Sequence, residues 1–409
     1  MEAESDQESA VATNSPAGVM ASCNRTPISY FRRRFRFRFR LTNTESLSED
    51  LLFNILIRLP AQDIHDSARL VCHRWAHLTR SRDFIRTHLR RARTGLLIQN
   101  TTFLKDLIFI SCGPTGRVEL SRSRHELGLR ILASSHGLVL VLSPSGPCTL
   151  RIVNPGTTEY LDLPPFLGRR YFRHGSCLSN VAATNEYKVV QAQFARGLRG
   201  EVSYEYAVLT VGTDTSWRHM GKVDRLTRET NTSLLISNPL ITEGFVHWVL
   251  YSGGSTIFTL DAKTEVMTES RVPVTLGRLV ESEYLVSGGK NLTLVVKKLG
   301  SFFSWDVWEM SPETQVWRKT IIVYLEEERL KGIIRDRDKK VVFDGNGVWV
   351  TPVGWLNFPE VLVFAPGKGR YCILYRVRTR EIESIDLPKD AASYNYKFHH
   401  SGLVSPTGI

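Results

Sequence analysis

The sequence predicts an α+β multidomain chain, a small helical module near the amino terminus followed by a much larger all-β repeat. Three observations predict it. Between Leu51 and Leu59 apolar residues recur at spacings of three and four, the signature of an amphipathic helix. Beyond residue 95 the pattern changes to short β-branched and aromatic runs split by Gly, Pro, Asn and Asp. Glycine, tryptophan and proline landmarks then recur at separations of 100 to 115 residues, which marks a repeat architecture. Composition sets the outer bounds. The chain has 409 residues, 42% hydrophobic and 23% charged, which excludes global disorder, a collagen-like chain and a disulfide scaffold. No run of 18 apolar residues occurs, so no transmembrane helix is expected and no membrane partner is assigned. The net charge is +12, and half of that excess lies between Phe31 and Arg40. The remainder is mildly basic, which argues against nucleic acid as the general partner.

Residues 1–43 form the first segment, a polar stretch ending in a basic and aromatic arm. Its first nine residues carry four acids, so it does not read as a signal peptide. Disorder is expected. Arg34 to Leu41 alternate Arg with Phe or Leu; the arm could be a solvated tail, an RNA- or phosphate-binding arm, an import signal or a membrane-surface contact. The six cysteines are scattered singly without a C-x-x-C pair. That fits free thiols in a reducing cytoplasm and/or nucleus, the expected localisation.

Residues 44–90 are the helical module. Ser46 and Ser48 precede Glu49 and Asp50, so caps and first-turn acids open a helix. Leu51, Leu52, Ile55, Leu56 and Leu59 then make one broad apolar stripe, and Pro60 stops the helix. A second segment follows from Asp63. A third presents Cys72, Trp75 and Leu78 on one side, with Cys72 expected as a buried, inert thiol. A last amphipathic turn begins at Asp83. So small a module with so wide a stripe is expected to bury part of it against a partner, or else to cap the domain that follows.

Residues 95–388 are the repeated β region. Glycines open apolar runs at Gly137, Gly244 and Gly347. Apolar-Pro pairs close units at Leu163-Pro164, Val272-Pro273 and Leu387-Pro388. Trp-Arg pairs at Trp217 and Trp317 mark the units between. Two alternating units of about 50 residues match a four-stranded propeller blade, and the expectation is a propeller of about six blades. The segment from Leu96 to Leu120 is short for one of these. Trp217, Trp248, Trp317 and Trp349 are expected between blades. Residues 389–409 are left as a C-terminal tail.

Little in the sequence supports catalysis. No H-E-x-x-H, G-x-S-x-G, phosphate loop or kinase set occurs. His73 and His77 sit at i, i+4 without an evident third ligand, so no metal and no cofactor is assigned. Glu326 to Glu328 read as a solvated face. An enzymatic propeller would need acids or histidines gathered at its channel mouth.

The residues from Leu47 to Phe84 closely resemble an F-box. The shared elements are the opening Leu and acidic pair, the I-L-x-R-L-P block at Ile55 to Pro60, and V-C-x-x-W at Val71 to Trp75. The resemblance implies docking on a Skp-family linker protein and, through it, a cullin. By motif position the docking face would include Leu47, Leu51, Ile55, Leu59, Pro60, Leu70, Val71, Cys72 and Trp75. The family usually has Pro after the opening Leu; Ser48 stands there in this chain, which implies a weaker grip on the linker. The β region is similar to the F-box-associated domain of plant F-box/kelch proteins. Ser135-His136-Gly137-Leu138, the N-P-x-T block at Asn154 to Thr157, Glu186 to Val190, and Gly244 to Trp248 carry that likeness. Together the resemblances imply a non-catalytic substrate receptor of a ubiquitin ligase that recruits an unidentified target protein. A rival reading is a ligase-independent protein- or RNA-binding propeller acting through the Arg/Phe arm. Blade-connecting loops are where a target is expected. The loops richest in Arg and aromatics supply Arg169, Arg170, Tyr171, Phe172, Arg173, Arg196 and Arg199 as candidate contacts.

Overall fold

The computed structural model describes residues 47–113, 115–123, 127–143, 149–166, 175–181, 183–196, 202–223, 239–251, 255–272, 283–287, 290, 292–298, 303–311, 314–337, 350–366, 370–387 and 394–408. Leu47 and Ser48 belong to a first unit of the chain; everything from Glu49 onward forms one compact unit.

That unit opens with four helices, α1 (Glu49–Leu56), α2 (Ala61–Asp66), α3 (His73–Arg80) and α4 (Arg82–Arg91). Acids in the first turn of α1 complement the helix dipole. Pro60 precedes α2 directly. The Ser81 hydroxyl caps α4 by accepting from the Phe84 amide at 3.2 Å. Leu52, Leu56, Ile64, Leu78 and Phe84 meet in a small core of the module's own.

Six four-stranded antiparallel sheets follow, the blades of a propeller. The inner strands are Ile131–Ser135, Ser176–Val181, Leu240–Thr242, Glu283–Ser287, Val350–Leu356 and Tyr394–His400, and neighbours contact one another all round the ring. The alternation legible in the sequence is real. Inner strands starting at 131, 240 and 350 are spaced by 109 and 110 residues, and the two between them, at 176 and 283, by 107. Leu163, Val272 and Leu387 are buried just after the outer strands of the even blades, while Arg218–Val223 and Trp317–Tyr324 are the outer strands of two odd ones. Gly137 and Gly244 sit in tight inner hairpins at φ 88° and 79°, a region open to glycine at no steric cost. Trp248 is 4% exposed within the largest core, and Trp217 and Trp317 are half-buried against blade cores. Trp349 and Gly347 lie outside the described residues.

Two expectations are corrected. The stretch read as a C-terminal tail supplies Tyr394–His400, the inner strand of the first blade, paired antiparallel with Thr94–Asn100 from Thr94↔His400 to Asn100↔Tyr394. This explains why the segment from Leu96 to Leu120 is short: it lacks the strand that the chain's end supplies. The Tyr394, Tyr396, Phe398 alternation is the period-two signal that could have marked it. The residues after it are embedded rather than trailing. Asn154 Nδ2 donates to the Gly402 and Val404 carbonyls at 2.9 and 2.8 Å, and Val404 and Pro406 are buried. The β region also contains a helix, α5 (Glu327–Arg337), in which Glu327 and Glu328 form the acidic first turn and Leu330 and Ile334 are buried.

Candidate protein-docking site

Helix α1 divides its apolar stripe between two sides. Leu52 and Leu56 are 1% and 0% exposed in the module's core, whereas Leu51 and Ile55 are 55% and 46% exposed. Each pair is spaced i, i+4, so each occupies one face. The turn before α3 repeats the arrangement. Ala68 is buried, and Leu70 and Val71 are 72% and 48% exposed. Pro60 and Cys72 are exposed, while Leu47, Leu59 and Trp75 are half-buried, the last two resting on the helical core. None of the nine residues assigned by motif position is buried. Of the ten exposed large hydrophobics among the described residues, four lie between Leu51 and Val71. Exposed apolar residues in such number are candidate contacts for a partner. The expectation of a buried Cys72 was wrong. Cys72 precedes α3 in an extended conformation, outside the helical period, and is exposed.

The opposite side of the module is fixed to the propeller. Ile85 and Leu89 of α4 pack on the largest propeller core, and Leu403 packs on the helical core. A Cβ at Gly402 would meet Leu89 Cδ1 at 2.9 Å, so a larger residue there would make the Leu89 side chain shift. His88 is 4% exposed and its Nε2 donates to the Leu59 carbonyl at 2.9 Å. Burial lowers its pKa, opposed in part by that bond. Only Ala92 and Arg93 separate α4 from the first strand.

Helix α4 lies over the end of the ring toward which all six inner strands run. Asn185, Glu186 and Gly156 lie on this side, near the helices. The outer strand Tyr160–Asp162, and the strand Glu186–Arg196 after it, run away from the helices. The carboxyl ends of these two strands therefore lie on the remote face. The candidate contacts Arg169, Arg170, Tyr171, Phe172, Arg173 and Arg199 lie outside the described residues, as does the side chain of Arg196.

The channel mouth under α4 gathers His136 and His400, stacked at 5.0 Å with an interplanar angle of 15°. Sequence reasoning missed this pair, since 264 residues separate the two. Parallel rings direct their nitrogens side by side rather than at one point, and no group of three metal-binding side chains occurs among the described residues. His73 and His77 are both exposed on α3. Between the third and fourth blades, Glu265 accepts from Arg218 Nη2 at 2.7 Å and from Lys188 Nζ at 2.6 Å. These bonds hold its carboxyl at about 2.

A family model described as the F-box associated beta propeller domain matches residues 111–352, and one described as the F-box domain matches residues 45–87. No curated protein matches the sequence. Among solved structures, one in a nidogen/laminin complex is 12% identical, covers 76% of this chain and 99% of its own, and has a TM-score of 0.43. A luciferin-regenerating enzyme is 12% identical over 72% of this chain and 81% of its own, at 0.36. The β-propeller domain of Cps50 (Swd1) from Myceliophteria thermophila is 9% identical over 73% and 89%, at 0.37.

Proposed function

The chain belongs to the F-box associated beta propeller family and carries an F-box domain ahead of its propeller, and we propose that it is the substrate-recognition subunit of a Skp–cullin–F-box ubiquitin ligase. The observation that carries this reading is the open apolar face on a helical module whose other side is fixed to the propeller. Leu47, Leu51, Ile55, Leu59, Pro60, Leu70, Val71, Cys72 and Trp75 are the proposed contacts for a Skp-family linker, which in turn holds a cullin. The target is assigned to the remote face of the propeller, with the Arg- and aromatic-rich loops from Gly168 to Arg173 and Arg196 to Arg199 as its contacts. The chain itself forms and breaks no bond. It sets the effective concentration of a target lysine near the ubiquitin-charged enzyme. A short, packed junction between α4 and the first strand suits this role, because a rigid receptor holds the lysine within a narrow range of positions. We assign its site of action to the cytoplasm and/or nucleus.

The test is binding of the purified full chain to a purified Skp-family linker by size-exclusion chromatography and calorimetry. A one-to-one complex at micromolar concentration that also recruits a cullin is expected. Absence of any complex with the folded chain would remove the proposal.

A further inference from the structure

Helix α4 does not seal the mouth that it crosses. Between them lies a cavity of about 620 Å³, within the size range of small-molecule sites and too small for a folded partner. Its charge is lopsided. Arg86 and Arg90, one turn apart on α4, and Lys290 from the propeller line it against a single carboxylate, Glu243. Glu243 lies 3.3 Å from Lys290, and no ion pair among the described residues engages either arginine. Both arginines are exposed on α4, so their guanidinium groups are free to meet a ligand at the open rim of the cavity. Their fork of donors matches phosphate oxygens in two-point contact. The propeller side adds polar groups without negative charge, the amides of Asn180 and Asn357 and the His136–His400 stack. Burial holds both imidazoles below their ordinary pKa, so the mouth draws its positive charge from the arginines and lysine alone. Leu89, Ile241 and Phe358 give the cavity an apolar wall as well.

We propose that this cavity binds a small phosphorylated metabolite, whose phosphate groups bridge Arg86 and Arg90 of the helical module to the mouth of the propeller. The site is separate from the linker-binding face and stands whether or not a linker binds. A ligand held by both modules adds its binding free energy to their seating on one another.

The experiment is calorimetric titration of the full chain with inorganic pyrophosphate, with sulfate and a phosphoserine peptide in parallel, at physiological ionic strength. Binding of pyrophosphate at sub-millimolar concentration is expected, stronger than sulfate and stronger than the peptide. The double variant Arg86→Ala/Arg90→Ala should weaken it at least tenfold, and Arg86→Lys/Arg90→Lys should recover part of the loss. Arg91→Ala, an exposed residue of the same helix outside the cavity, should leave it unchanged. Melting curves and linker binding, recorded for each variant, separate loss of this site from loss of fold or of the docking face. No heat at millimolar pyrophosphate, equal losses for Arg91→Ala and the double variant, or tighter binding of the peptide through the same arginines would each overturn the proposal.

Discussion

Neighbouring residues of α1 should fail in opposite ways. Leu51 and Ile55 are about half exposed, and Leu52 is 1% exposed. Full burial of a Leu or Ile side chain contributes about 1.5–3 kcal/mol, so covering the exposed half of each with a linker contributes roughly 0.8–1.5 kcal/mol. Leu51→Ala/Ile55→Ala together should then cost about 1.5–3 kcal/mol of binding, a roughly ten- to 150-fold rise in Kd. The melting temperature should fall by only a few degrees, since little is lost from the module's own core and alanine favours the helix. Leu52→Ala leaves a cavity in that core and should cost about 2–5 kcal/mol of stability. The molecules that remain folded should bind the linker with nearly native affinity. Calorimetry against a Skp-family linker, paired with thermal melts of the full chain, reads both quantities. Unchanged affinity in the double variant, or a loss from Leu52→Ala as large as that from the double variant without unfolding, would refute the division of α1 into an inner and an outer face.

Three further outcomes are expected. His247, between Thr242 and Thr259, and His399, bonded to Ser134, are both pushed down to about 3 by burial. The unfolded chain takes up these protons first, so stability is full above pH 6.5 and falls as pH drops toward 3. At pH 5 each should cost about 2 kcal/mol, and a melting temperature flat from pH 7 to 5 would contradict this. Glu265 shows the carboxylate counterpart: its folded value near 2 lies below the ordinary 4.5, mainly through the bond from Arg218. Its contribution is therefore full above pH 4.5 and lost as pH falls toward 2. Glu265→Gln should cost about 1–3 kcal/mol in denaturant unfolding at pH 7, the exposure of Arg218 keeping it from more, and should flatten the pH dependence in that window. A Cβ on Gly95 would collide with the Ile110 carbonyl oxygen. Gly95→Ala must therefore push apart the first two strands of the first blade, and should lower the melting temperature far more than Gly332→Ala, whose added Cβ meets nothing within 4 Å.

Local periodicity carried much of this architecture. The three-and-four spacing of α1 and the superperiod of glycines and prolines are short-range signals, and both elements are present where they point. What escaped depends on contacts between distant residues. Adjacent Leu51 and Leu52 are the same residue type, and only the packed module distinguishes the solvent side from the core. The inner strand of the first blade lies nearly 300 residues beyond its partner at Thr94–Asn100, so no local pattern could complete that blade. Helix α5 was hidden because its acidic first turn reads as a solvated run until Leu330 and Ile334 are seen buried. Cys72 was misplaced because the helical period of α3 was extended to it, whereas it is the extended residue ahead of the helix. The cavity under α4 draws Arg86 and His400 from almost the two ends of the described chain, and nothing in their spacing unites them.

Translation order gives the last fifteen described residues a particular weight. The ribosome releases α1 to α4 about 300 residues before Tyr394–His400 emerges. That late strand shuts the ring, and Leu403 right behind it lays the floor beneath the helices. Ring closure and the seat of the helices thus depend on one continuous segment, made long after the parts that it joins.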